Sequence, residues 1–254
     1  MSLLVVKDLS RRFGGLQAVG QVSFSVARGS IKALIGPNGA GKTTLFNLIF
    51  GSLLPDSGQV WFDGKQIDGW QPHQVAAAGM ARTFQHVRLF AKMSALENVA
   101  VGRHVHSRAG FLSSMMGLPW TRREQRAVRD KALEIMGFLG VEDLADVEAS
   151  SLAYGQQRII ELGRALACEP KLLLLDEPAA GLNMRETREM AKLIARIRDR
   201  GVTVLLVEHD MTLVMNISDE VLVLSYGEKI ADDKPLAVQK NPEVVRVYLG
   251  EDDA

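Results

Sequence analysis

The chain has one cysteine, no net charge and no long uncharged apolar run, and each shortage removes a class of function. Cys168 has no second cysteine to pair with inside the chain. Its setting, Arg164-Ala165-Leu166-Ala167-Cys168, predicts a buried helical position rather than a reactive thiol. Lys and Arg number 30 and Asp and Glu number 30, so no global basic field exists to hold nucleic acid, and that partner is not expected. The start Met1-Ser2-Leu3-Leu4-Val5-Val6-Lys7-Asp8 lacks the basic flank and long apolar core of a signal peptide. No uncharged run reaches the roughly 18 residues of a membrane span. The chain is therefore expected in the cytosol. His86, His104 and His106 lack cysteines or carboxylates at ligand spacing, which argues against a transition-metal site. Repeats and low-complexity tracts are absent, and Glu251-Asp252-Asp253-Ala254 reads as a solvated end.

What is present begins with Gly36-Pro37-Asn38-Gly39-Ala40-Gly41-Lys42-Thr43, which fits G-x-x-x-x-G-K-[ST] at every fixed position. It follows the apolar run 31–35 and opens a helix expected from Lys42. Glycines in such a turn let successive N–H groups point inward at phosphate oxygens, and the helix N-terminus adds partial positive charge. Lys42 can reach the β- and γ-phosphates as a point charge, the Thr43 hydroxyl can ligate Mg²⁺, and Thr44 can donate to another phosphate oxygen.

With 254 residues the chain can bury a sizeable core, and short apolar runs alternating with helical stretches predict an α/β fold with parallel strands. Residues 202–207 and 221–224 read as buried strands with a helix at 184–200 between 172–175 and the first of them. Residues 3–9, 22–26 and 60–62, with turns such as Asp63-Gly64, predict a smaller antiparallel sheet. Strand signals vanish between about 87 and 149, and 121–139 carries Val128, Leu133, Ile135, Met136 and Leu139 among charges, so a helical subdomain is expected. Arg122, Arg123, Arg126 and Arg129 are interrupted by Glu124, Asp130 and Glu134, which predicts a solvated helix face. Phe111, Leu112, Met115, Met116, Leu118 and Trp120 form an apolar stretch, too short to span a bilayer, that is expected to pack on itself.

Leu172-Leu173-Leu174-Leu175 runs into Asp176-Glu177, a buried strand that delivers two carboxylates to the C-terminal edge of the sheet, where ligands of open α/β sheets bind. Asp176 is expected to support Mg²⁺, directly or through water. Glu177 is the candidate to orient and deprotonate an attacking water, because phosphoryl transfer needs an aligned nucleophile.

Leu152-Ala153-Tyr154-Gly155-Gln156, followed by a helical stretch, resembles the signature of ATP-binding-cassette (ABC) ATPases. The resemblance extends over nearly the whole chain. Phe13 matches the family's adenine-stacking aromatic, Gln85 in Arg82-Thr83-Phe84-Gln85 its Q-loop glutamine, which supports Mg²⁺ and the attacking water, and His209 in Glu208-His209-Asp210 its switch histidine. It implies one ABC ATPase domain: a P-loop NTPase (RecA-like) core of residues 1–86 and 160–254 with a small antiparallel β subdomain, and a helical signature subdomain at 87–159. It also implies that two such subunits, identical or homologous, hold Mg-ATP head to tail between the phosphate loop of one and the signature of the other.

The phrases Arg12-Phe13-Gly14-Gly15-Leu16-Gln17-Ala18-Val19, Glu208-His209-Asp210-Met211 and Asn241-Pro242-Glu243-Val244-Val245, with the Tyr154 form of the signature, look like the branched-chain amino acid importer ATPases. That lineage also serves urea and amide uptake. The likeness implies transmembrane permease subunits, an external solute-binding protein acting indirectly, and a peripheral place on the cytoplasmic face of the membrane. Phe90, Met93 and Leu96 are either a permease-facing groove or subdomain core. Ala153 stands where a serine is usual, and Asn183 where an aspartate is usual. A soluble ATP-driven clamp and a P-loop kinase are the rivals; the first lacks basic surfaces or coiled-coil inserts here, and the second would not require the 152–156 turn.

Overall fold

The runs Ile31–Ile35 (β3), Leu172–Asp176 (β7) and Thr203–Val207 (β8) are buried at every position, and Glu220–Ser225 (β9) at all but its first. Strands apolar on both faces need cover on both, the requirement of a parallel sheet between layers. The computed structural model, which describes residues 1–106 and 119–249, places them so. The side chains of the apolar stretch 111–120, those of His106 and Arg122, and the acidic tail lie outside the described residues.

The chain divides into two compact units, Met1–Arg82 with Lys171–Ala254, and Thr83–Pro170. In the first, a six-stranded sheet has the order β10-β9-β3-β8-β7-β6, with Met80–Arg82 as β6 and Glu228–Asp233 as β10. All neighbours are parallel except β10, which folds back on β9. A second sheet has the order β2-β1-β4-β5, built from Ser2–Phe13 (β1), Leu16–Ala27 (β2), Ser57–Phe62 (β4) and Lys65–Gln66 (β5). It is the antiparallel sheet expected, with longer strands because β1 and β2 continue into one hairpin closed at Phe13 and Leu16.

Side-chain alternation sorts the core. Leu34, Leu174, Leu205 and Leu222 share one cluster with Leu45, Phe46 and Ile49 of the helix Lys42–Ile49 (α1) and with Leu4, Val6 and Phe24 of the antiparallel sheet. Their neighbours Ala33, Ile35, Val221 and Val223 face Val214, Val238 and Val244 in a second cluster. Those three sit on helices Met211–Ile217, Pro235–Gln239 and Pro242–Leu249. Lys32 is also buried, with its ammonium 3.0 Å from Glu220, 2.5 Å from Asp232 and 2.9 Å from the Ser25 carbonyl. Full pairing is what makes a buried lysine tolerable.

The second unit is helical among its described residues, with Ala95–Val101 (α3), Pro119–Leu139 (α4) and Tyr154–Leu166 (α5). A capping box of Ser94 and Glu97 starts α3. Gly163 lets α5 come close to its neighbours, since a methyl there would lie 3.0 Å from both Leu139 and Val99. That packing carries α5 with this unit. Leu96 is core, whereas Phe90 is exposed beneath the Arg164 guanidinium. Cys168 lies just past the end of α5, half-buried rather than inside a helix, and burial pushes its thiol above the usual range. No helix of the described residues is long and apolar enough to cross a membrane.

Candidate active site

Parallel pairing of Leu34 with Val207, and of Asp176 with the same Val207, brings the ends of β3, β7 and β8 to one edge of the sheet. From that edge leave the Gly36–Thr43 loop, the Asp176-Glu177 pair and the Glu208-His209 turn. The first unit therefore gathers residues separated by more than 170 positions.

The loop is shaped by two close approaches. Gly36 has φ 150° and a side chain there would lie 2.2 Å from the Leu224 carbonyl oxygen; Gly41 has φ 99° and would meet the Ala18 carbonyl at 2.3 Å. Only glycine fits either position. Gly227 fastens the loop from the β9–β10 turn, donating to the Ala40 carbonyl at 3.0 Å, and accepts from Gly20 of β2 at 2.8 Å. Asn38, Gly39 and Thr43 are exposed, Ala40 is buried, and Pro37, Lys42 and Thr44 lie between. The Lys42 ammonium folds back over the loop, 2.5 Å from the Gly36 carbonyl and 2.8 Å from that of Pro37. Its helix has Gly41 as N-cap with no side-chain cap hydrogen bond, so its first-turn N–H groups are not satisfied by a capping side chain.

Asp176 ends β7 almost buried, and its Oδ2 accepts from Arg82 Nη2 at 2.9 Å. The same guanidinium donates to Asn47 of α1 at 2.6 Å and lies 5.6 Å from the Phe46 ring centre. Glu177, the next residue, has φ 48°, a left-handed conformation that costs a residue with a Cβ roughly 1–2 kcal/mol. Its N–H is held by the Val207 carbonyl at 2.9 Å. Strain of this kind concentrates at functional sites.

Sequence reasoning passed over Glu208. It is buried, and its carboxylate accepts from the Ala179 N–H at 2.8 Å and the His209 N–H at 3.1 Å, tying the turn after β7 to the turn after β8. A charged residue directly after the apolar run 204–207 was the available signal. The His209 side chain is 67% exposed with Nδ1 3.8 Å from Glu208. Burial pushes the Glu208 carboxyl above the usual glutamate range, against the N–H groups of Ala179, His209 and Asp210. A carboxyl that holds its proton more tightly folded than unfolded contributes stability that is complete below the ordinary value and is lost as pH rises through the folded one. Glu208→Gln is expected to flatten the decline of the urea midpoint with pH above that range. Parallel curves for the two proteins would show that this buried charge does not shape stability.

Phe13 is 45% exposed at the β1–β2 turn, with the Arg11 guanidinium 5.2 Å from its ring centre. Asn183 caps helix Met184–Asp199, accepting from the Arg185 and Glu186 N–H groups at 3.0 and 3.1 Å while Glu186 accepts from Asn183 at 2.9 Å. The Asn-x-x-Glu spacing carried that signal in the sequence.

The remaining candidates belong to the second unit. Leu152 is buried, Ala153 and Tyr154 are exposed, and Gly155 and Gln156 lie between, at the start of α5. Gln156 accepts from the Ala153 N–H at 3.0 Å, while a methyl cannot return the bond, so half a capping box is present. Tyr154 stacks under Arg158, whose carbon lies 5.2 Å from the ring centre. Gln85 is exposed in a segment without regular structure.

The profile of the ABC transporter family matches residues 19–180, and that of branched-chain amino acid ATP-binding cassette transporters matches 228–254. The chain is 44% identical over 250 residues, 98% of each chain, to the high-affinity branched-chain amino acid transport ATP-binding protein BraF of Pseudomonas aeruginosa. Identity and coverage are the same for LivG, which bears the same description, of Escherichia coli. Among solved structures, an ATP-binding cassette of an ABC transporter in its ADP conformation superposes with a TM-score of 0.86 at 34% identity, over 98% of this chain and 99% of that one. A nucleotide-free cassette superposes at 0.85 and 33%, with the same coverage. Profile, near full-length identity and fold agree, and the chain belongs to the ABC transporter family as an ATP-hydrolysing cassette of its branched-chain amino acid lineage.

Proposed function

We propose that this chain is the energy-coupling subunit of an importer of branched-chain amino acids, binding Mg-ATP between two head-to-tail cassettes on the cytoplasmic face of the membrane. Its two units work as one ATPase domain. The observation that carries the reading is the convergence of the phosphate loop, Asp176-Glu177 and His209 on the edge made by β3, β7 and β8.

The residues divide the work by chemistry. Gly36, Pro37, Asn38, Gly39, Ala40 and Gly41 wrap the phosphates with backbone N–H groups, joined by Thr44, and Phe13 stacks on adenine. The Lys42 ammonium exchanges its neutral carbonyl partners for phosphate oxygens, which form stronger, charge-assisted bonds. An exposed hydroxyl at Thr43 and the Asp176 carboxylate are hard oxygen donors that suit Mg²⁺, with Gln85 as a third. The ion would neutralise phosphate charge. Glu177 orients the attacking water and takes its proton, and His209 steadies the γ-phosphate. Leu152, Ala153, Tyr154, Gly155 and Gln156 grip that phosphate on the second subunit's nucleotide, through a helix N-terminus that lacks the serine hydroxyl. ADP offers no γ-phosphate to that grip, so hydrolysis lets the pair part.

Lys42→Ala removes charge-assisted bonds worth about 1.5–3 kcal/mol, and so weakens ATP binding about tenfold to a hundredfold by calorimetry. Unchanged affinity would contradict the phosphate role. The function itself is tested by purifying the native complex and measuring uptake of labelled leucine, isoleucine and valine in reconstituted vesicles. ATP-dependent uptake, with permease subunits and a homologous second cassette present, is expected. Uptake of urea or an amide instead would move the chain to another solute, and a chain free of membrane partners would end the transport reading.

A further inference from the structure

Within the second unit, the segment 84–90 has no regular secondary structure, yet its backbone is held at several points by side chains from one face of α5. Arg158, 4% exposed, donates from Nη1 to the Phe84 carbonyl at 3.1 Å and from Nη2 to the Gln85 carbonyl at 2.7 Å. Three residues on, Glu161 is 2% exposed and accepts from the Arg88 N–H at 3.2 Å. Another three residues on, Arg164 donates to the Arg88 carbonyl at 2.6 Å. Spacing of three places neighbouring side chains on one helix surface. Glu161 lies 3.8 Å from Arg158 and 3.7 Å from Arg164, so the two guanidinium groups share one counter-charge. On the far side Asn98 of α3 closes the segment, accepting from the Phe90 N–H at 2.8 Å and donating to the Phe90 carbonyl at 3.1 Å.

We infer that Arg158, Glu161 and Arg164 are positioning residues that fix the backbone of Gln85 to the helix carrying the signature turn, so that the glutamine and the Tyr154-Gly155 grip keep one geometry. The inference rests on the proposed role of Gln85 at the nucleotide. Burying Arg158 and Glu161 to hold bare peptide groups is costly, and these contacts fall on Gln85 and its neighbours rather than on the apolar interior of the unit. A guanidinium fork can bridge two successive carbonyls, while an ammonium serves as a single point.

The test is Arg158→Lys, in the full chain within its membrane complex. Amide hydrogen exchange over 85–90 is expected to quicken while that of the phosphate loop stays unchanged. The turnover number falls about tenfold to a hundredfold, as for a misplaced catalytic group, with KM for ATP within about twofold. In a Gln85→Ala background the same change adds nothing further. If Gln85→Ala alone leaves turnover intact, the role of Gln85 fails and the inference with it. If Gln85→Ala slows turnover but Arg158→Lys does not, or adds its full effect on top, the positioning inference alone is overturned. Lower turnover with unchanged exchange at 85–90 overturns it too.

Discussion

Glu177→Gln is expected to bind ATP as tightly as the wild type while hydrolysing it about 10²–10⁴-fold more slowly, the range for loss of a general base. The replacement keeps size and shape, so the left-handed backbone at φ 48° and its bond to the Val207 carbonyl persist. What disappears is an acceptor for the proton of the attacking water. Because the proposed closed pair depends on an intact γ-phosphate, the variant should also accumulate as a dimer with its cognate cassette in Mg-ATP. Phosphate release, calorimetry and ultracentrifugation read the three quantities separately. Normal turnover would reassign the base, and monomers alone, beside every cognate subunit, would remove the two-subunit clamp.

Arg82→Leu is expected to cost about 3–5 kcal/mol, the cost of removing one partner from a buried ion pair. The side chains of Arg82 and Asp176 are 4% and 6% exposed, so water cannot compensate as it does for a surface pair. The guanidinium also joins β7 to α1 through Asn47 and packs on Phe46, contacts that leucine replaces only in part. A stability of about 5–15 kcal/mol makes that loss visible as a large drop in the urea midpoint. Arg82→Lys keeps the charge without the two-pronged reach and should fall between. A leucine variant within about 1 kcal/mol of wild type would place this pair with the weak surface bridges. Asp176 is the proposed magnesium ligand, and nucleotide affinity with and without magnesium reports any effect on it separately.

Legibility differed by element for physical reasons. The strands β3, β7, β8 and β9 stood out because burial on both faces favours dense apolar runs, interrupted inside β3 only by Lys32. Strand β6 is three residues long and ends in Arg82, and β10 reads Glu-Lys-Ile-Ala-Asp-Asp along a largely exposed edge, so neither shows the pattern. The phosphate loop was legible because its glycines adopt positive φ, a constraint on each residue's own backbone. Asn183 was read only as standing where an aspartate is usual, and the structure uses its side chain inside its own chain as a helix cap. In the second unit, Gly163 and its neighbours seat α5 against α3 and α4, a packing that no local pattern announces.

By itself the sequence determined the class of chemistry, the family and the order of the motifs, because phosphate-binding turns and buried strands are specified by short-range constraints on backbone angle and polarity. Only the tertiary structure decided that Arg82 braces Asp176, that Glu208 ties two turns together and that Arg158, Glu161 and Arg164 hold the backbone around Gln85. Those partners lie 29 to 94 positions apart. A buried charge selects its partner by desolvation and reach in three dimensions, and linear spacing carries no record of either.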